Sequence, residues 1–336
     1  MKQPFGVLPN GDAASLYTIK AGNITANITD FGATLVSLYV PDSNGNITDV
    51  VLGYDDVNAY ATLGGHLGAS VGRNANRIGN AKFTLNGKKY PLGVNNFKNN
   101  LHSGPDCFDY RIWCVVAHTE NEITFQINSP DGDQGFPGNA QIKVTYTVSN
   151  DGIKLAYEGI CDQDTVFNMT NHSYFNLAGH NKPELAMAQT LQLSCNRFTV
   201  ADEESIPTGE MRDVSGSPMD FRCEKPVGQD INEKYEPLIL QQGYDHNFEI
   251  NAQPCAKLHS NETGITMVVY TDCPGVQFYS GNYLDNPGKG GIHYIRRGGV
   301  CLETQHFPDS VNHPEWKQPF VAANTPYHSE TEYRFI

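Results

Sequence analysis

Side chains able to move protons or anchor polar ligands concentrate in a few short segments of the 336-residue chain. The stretch Asn168-Met169-Thr170-Asn171-His172-Ser173-Tyr174-Phe175-Asn176-Leu177 carries a histidine, and Cys301-Leu302-Glu303-Thr304-Gln305-His306-Phe307-Pro308-Asp309 carries a glutamate. A histidine and a glutamate are the side chains that most readily act as general acid and general base. Val71-Gly72-Arg73-Asn74-Ala75-Asn76-Arg77-Ile78-Gly79 and Asn100-Leu101-His102-Ser103-Gly104 supply cationic and polar donors. Tyr244-Asp245-His246-Asn247-Phe248 and Gly275-Val276-Gln277-Phe278-Tyr279-Ser280-Gly281-Asn282 supply a carboxylate, an amide and aromatic rings. An ionised Asp accepts hydrogen bonds only, which suits hydroxyl donors.

Other chemistries lack their signatures. The chain contains no G-x-G-x-x-G, no G-x-x-x-x-G-K-[ST] and no H-E-x-x-H, the sequences behind dinucleotide, phosphate-loop and zincin sites. Gly68-Ala69-Ser70-Val71-Gly72 matches G-x-S-x-G, yet a nucleophile elbow needs a helix after it. The following Arg73-Asn74-Ala75-Asn76-Arg77-Ile78-Gly79-Asn80 is too rich in Asn and Gly to start one, so the segment is expected to be small residues packed at a turn. The eight cysteines are scattered without a C-x-x-C pair, and no Cys or His spacing suggests a metal site.

The elements that must hold these segments are strands. Period-two alternation bounded by Asn, Asp and Gly marks Ala33 to Val40, Gln141 to Val148, Ile153 to Tyr157, Thr190 to Leu193, Thr266 to Tyr270 and Val276 to Ser280. Asn86-Gly87 and Asn150-Asp151-Gly152 each read as a hairpin turn. The one helical window of note, Glu224 to Asn232, is interrupted by Pro226. No repeat, low-complexity tract or linker divides the chain. The expectation is an all-β protein, one antiparallel domain over residues 1–336 built of stacked sheets.

Composition narrows the partners. The net charge of −14 repels polyanions, which disfavours nucleic acid and anionic membrane surfaces. Met1 to Asn10 lacks the features of a signal peptide and no run of 18 apolar residues occurs. A cytoplasmic protein with reduced thiols is expected, and the six N-x-S/T sequons then carry no meaning.

Taken together and in order, the six segments resemble the aldose 1-epimerases, the galactose mutarotase family, from about Phe31 to the C-terminus. The resemblance implies a β-supersandwich with an open cleft for a free hexose, no cofactor and no metal. It implies a reaction that interconverts α and β anomers by opening and reclosing the sugar ring, in a monomer or weak homodimer. By motif position it makes Glu303 the base on the C1 hydroxyl and His172 the acid on the ring oxygen, and puts Arg73, His102, Asp245, Gln277 and Asn74 on the sugar. Such chemistry breaks only O–H and hemiacetal C–O bonds, so two groups titrating near neutrality suffice, provided the imidazole is held protonated and the carboxylate ionised. Arg77 is expected to be structural, as is His246; Phe278 or Tyr279 is expected to stack on the sugar; His306 and His313 stay unassigned. A glycoside hydrolase using Asp245 and Glu303, a silent sugar-binding module, and a hexose 6-phosphate epimerase are the rival readings.

Overall fold

The computed structural model describes residues 1–336 and is built of antiparallel sheets. The N-terminal sheet is a five-stranded meander, Lys2–Val7, Ala13–Ala21, Ile24–Thr29, Thr34–Pro41 and Ile47–Asp49. A nine-stranded sheet runs from Cys114–His118 through the neighbouring pairs Ala140–Val148 with Gly152–Cys161, and Tyr327–Phe335 with Thr266–Thr271, to Lys225–Pro226. The six-stranded sheet follows the order Tyr174–Phe175, Val300–Gln305, Gly275–Tyr279, Asp245–Glu249, Arg197–Ala201, Pro207–Asp213. Apolar residues from all three sheets meet in one cluster of 54 buried side chains, among them Leu35, Val144, Leu155, Phe278 and Leu302. Removing so many Val, Ile, Leu and Phe side chains from water contributes most to holding the sheets together.

The strands read from alternation form with ends displaced by a few residues at most, because alternation sets the faces while pairing partners set the ends. Asn86 and Gly87 both adopt positive φ, 51° and 77°, which a two-residue hairpin of right-handed twist requires at both positions. The Glu224 to Asn232 window is not helical. Lys225–Pro226 pairs with Thr190–Leu193 and turns follow, since Pro226 removes a donor and Gly228 adds none of the helical preference that could compensate. The helices that do occur are short; Val57–Leu63 is capped by Asp56, whose carboxylate accepts from Asn58 and Ala59 amides at 2.8 and 3.0 Å.

The six-stranded sheet decides where the chemistry can sit. Its registers align Asp245 with Tyr279 and Tyr279 with Cys301, and Asn247 with Gln277 and Gln277 with Glu303. Directly opposed residues share a face, so Asp245, Asn247, Gln277, Tyr279, Cys301 and Glu303 all project to one side. The alternate residues Phe248, Val276, Phe278 and Leu302 enter the apolar cluster on the other side. A polar face on an otherwise core strand is the framework of the site.

Candidate active site

Over that polar face lies a cavity of about 380 Å³ whose wall includes His66, Arg77, His102, His172, Asp245 and Glu303. The size falls at the small end of the roughly 300–1,000 Å³ typical of ligand pockets, suited to one small polar molecule. Glu303 and Asp245 come from adjacent-but-one strands of the six-stranded sheet. His172 arrives from outside it: Thr170 and Asn171 pair with Val71 and Ser70, and the backbone of His172 exchanges hydrogen bonds of 2.9 Å with Gly68 and Ala69. The G-x-S-x-G segment thus carries the backbone of His172. Ser70 itself is buried, bonded to the Ala33 carbonyl and the Tyr157 hydroxyl at 3.2 Å each, and is no nucleophile elbow.

His172 Nε2 stands 3.7 Å from Glu303 Oε1, and the imidazole stacks on Tyr174 with ring centroids 5.1 Å apart. Glu303 Oε2 has no partner within the protein. Burial lowers the His172 pKa to about 3, with the charge on His66 adding to the effect. Burial likewise raises the Glu303 carboxyl well above the usual carboxylate range, with Asp245 adding to the rise and Arg77 opposing it. Both shifts favour the neutral forms. The protonated imidazole and ionised carboxylate that the two roles require are thus not the forms that burial favours: the protein alone favours a neutral pair.

His102 is buried and neutral, its pKa pushed well down by burial and then by the charges of His66 and His172. Its Nδ1 accepts the Asn76 amide at 3.1 Å, so the ring proton sits on Nε2. His102 is thus a neutral donor rather than the cation anticipated from the sequence. Asp245 is fixed by Gln277, whose Nε2 donates to Oδ1 at 2.7 Å, while Gln277 Oε1 has no partner. Burial raises the Asp245 carboxyl despite Arg77 and Gln277. Ligand atoms of His102, His172 and Glu303 lie within 4.8 Å of one another.

Gln277, expected on the sugar, is off the cavity wall and reaches it only through Asp245, and two further expected contacts are corrected. Arg73 is fully buried and its guanidinium is spent on Ser129, Pro130, Pro137, Gly138 and Thr165, with bonds of 2.8 to 3.2 Å. Asn74 is buried too, its side chain donating to the Ala75 carbonyl at 2.9 Å and its backbone bonded to the Ser103 hydroxyl. Neither is on the cavity wall. Arg77 and Asn76, four and two residues further along the chain, take that place. Arg77 is half-buried, and its Nε donates to Asn96 at 3.0 Å. The sequence shows two arginines in one loop and no means of ranking them, because the cage around Arg73 comes from a segment more than 50 residues away.

Of the two aromatics, Tyr279 lines the cavity whereas Phe278 is wholly buried against Tyr244 and Phe221. Alternation along Gly275–Tyr279 makes that choice: Tyr279 shares the face of Gln277. His246, also on the core side, is buried against Phe198. His306 bonds the Lys317 carbonyl and His313 stacks on Trp316, both off the cavity wall. His66 also lines the cavity, although it follows two glycines and belongs to none of the six segments, so nothing in its local sequence marks it.

The family model for aldose 1-epimerase matches residues 15–334. The galactose mutarotase of Bos taurus is 37% identical over 338 residues, covering 98% of this chain and 97% of that protein. The aldose 1-epimerase of Haemophilus influenzae is 39% identical over 335 residues, 97% of each. Among solved structures, a GalM/aldose epimerase homologue from C. elegans superposes with a TM-score of 0.89 at 29% identity, covering 96% of this chain and 99% of its own. Matched along nearly its whole length, and with His172 and Glu303 facing one cavity, the chain belongs to the aldose 1-epimerase family of isomerases.

Proposed function

We propose that the chain interconverts the α and β anomers of free hexoses such as galactose and glucose. The observation that carries this reading is the approach of His172 and Glu303 to 3.7 Å on the wall of a cavity sized for one small polar molecule. Glu303 removes the C1 hydroxyl proton while His172 delivers a proton to the ring oxygen, and the C1–O bond to the ring oxygen breaks. The open-chain aldehyde forms, turns about C1–C2 and recloses, each proton returning along the path it came. Arg77, His102 and Asp245 hold the hydroxyl groups, and Tyr279 covers an apolar face of the ring.

The electrostatics suit this cycle. Ring opening converts an ionised Glu303 and a protonated His172 into a neutral acid and a neutral imidazole, and burial favours that neutral pair. The wall thus stabilises the protonation state that accompanies the aldehyde, the high-energy species of the reaction. Hydroxyl donors of the cyclic sugar and the nearby Arg77 favour the ionised carboxylate before opening.

The partner on this reading is a monosaccharide alone. No helix is long and apolar enough to cross a membrane, and the charge of −14 disfavours nucleic acid and anionic surfaces. We place the enzyme in the cytoplasm as a monomer or weak homodimer. Polarimetry of freshly dissolved α-D-galactose and α-D-glucose tests the reaction: the protein should accelerate the approach to the equilibrium rotation. No acceleration with either sugar, or release of monosaccharide from a disaccharide, would overturn it.

A further inference from the structure

His66 stands in an unusual position. It ends a run of three residues with positive φ, Gly64, Gly65 and His66 at 67°, 83° and 54°, a conformation that side-chain-bearing residues rarely adopt. The turn swings its ring onto the cavity wall, 21% exposed, with centroids 4.9 Å from His102 and 5.7 Å from His172. Behind it the buried carboxylate of Asp109 takes Nδ1 at 2.7 Å. A carboxylate on one ring nitrogen fixes the tautomer and orientation of the other. Nε2 makes no hydrogen bond within the protein.

We propose that His66 is a third substrate-contacting histidine, clamped by Asp109 so that its Nε2 engages one hydroxyl of the bound hexose and helps set which sugars are accepted. This rests on the sugar-epimerase reading of the same cavity. The direction of the His66 pKa agrees: burial works against the cation, but the charge and hydrogen bond of Asp109 outweigh it and the pKa is raised. With Asp109 on Nδ1, Nε2 meets a hydroxyl as an acceptor when the ring is neutral and as a charge-assisted donor when it is protonated. Asp109 is off the cavity wall and acts as a positioning residue through His66.

The test is a panel of monodeoxy hexoses measured with wild type and with His66→Phe, His66→Gln and Asp109→Asn. On the parent sugar His66→Phe should lose about 10- to 100-fold in kcat/KM, chiefly through KM. His66→Gln, which keeps a donor, should recover part of the loss, and Asp109→Asn should fall between. For the one deoxy sugar that lacks the partner hydroxyl, wild type and His66→Phe should coincide. A parent-sugar loss under about threefold, or the same fold loss on every member of the panel, would overturn the contact. Should His66→Phe fail to fold, His66→Gln and Asp109→Asn carry the same comparison. Should wild type itself leave the rotation unchanged, the epimerase reading fails on its own, and calorimetric binding of the panel still decides whether His66 meets a hydroxyl.

Discussion

Glu303 Oε1 and His172 Nε2 face each other at 3.7 Å, on a strand of the six-stranded sheet and on a short strand end that reaches the cavity from another part of the chain. The gap is longer than a hydrogen bond, and both groups are buried enough to prefer neutrality.

The pH profile follows from those directions. His172 is lowered to about 3, so it is neutral above that value; Glu303 is raised, so it keeps its proton past the usual carboxylate range. Between the two values the pair holds one proton, the number the relay needs. The kcat/KM profile should be a broad bell, its acid limb near pH 3 and its basic limb above the ordinary carboxylate pKa. This inverts the usual order, in which the carboxylate governs the acid limb. A nitrogen NMR titration of His172 checks it, and an imidazole titrating near the ordinary 6.5 would sink the inverted assignment.

Removing either member should be costly. Glu303→Gln and His172→Asn should each lower kcat by about 10² to 10⁴, the usual worth of a positioned acid or base, while still binding sugar. The double variant should lose much less than the product of the two, since they serve one relay. A folded, sugar-binding Glu303→Gln that keeps more than about a tenth of wild-type kcat, a barrier change under roughly 1.4 kcal/mol, would remove Glu303 as the base.

The two arginines should separate cleanly. Arg73→Met strips donors from the buried carbonyls of Ser129 and Gly138, each costing about 1 to 3 kcal/mol when left unpaired. Its melting temperature should fall by many degrees. Arg77→Met should leave the melting temperature within a few degrees and raise KM. Thermal unfolding and steady-state kinetics on both variants decide the matter; a KM effect confined to Arg73→Met would reverse the assignment.

Asp245→Asn should act mainly on KM. The amide keeps an acceptor but loses charge-assisted bonds worth roughly 1.5 to 3 kcal/mol. If kcat drops while KM holds, Asp245 belongs to the proton chemistry instead.

Chelation should leave activity unchanged, because the relay needs His172 and Glu303 free to exchange protons. Added zinc should instead inhibit in competition with sugar, since the nitrogen and oxygen atoms of His102, His172 and Glu303 converge within 4.8 Å. Activity lost to a chelator and restored by zinc would contradict this.

Local sequence determined a good deal of this molecule. Alternating apolar residues marked Gln141 to Val148 and Val276 to Ser280 as strands, because side-chain direction in a strand has a period of two whatever the partner. The same periodicity put Gln277 and Tyr279 on one face and Phe278 on the other once the polar face was known. The segments around His102, His172, Asp245 and Glu303 were legible as chemistry-bearing, and all four side chains reach one cavity. Tertiary structure alone decided between Arg73 and Arg77, between Asn74 and Asn76, and for His66. The arginine and His66 outcomes depend on groups distant in the chain: the carbonyl cage from Ser129 to Gly138 that captures Arg73, and the Asp109 carboxylate that holds His66. It also decided protonation. Residue type set the ordinary titration ranges of His172 and Glu303, but desolvation by the surrounding sheets moved both in opposite directions, and burial is a property of the folded whole.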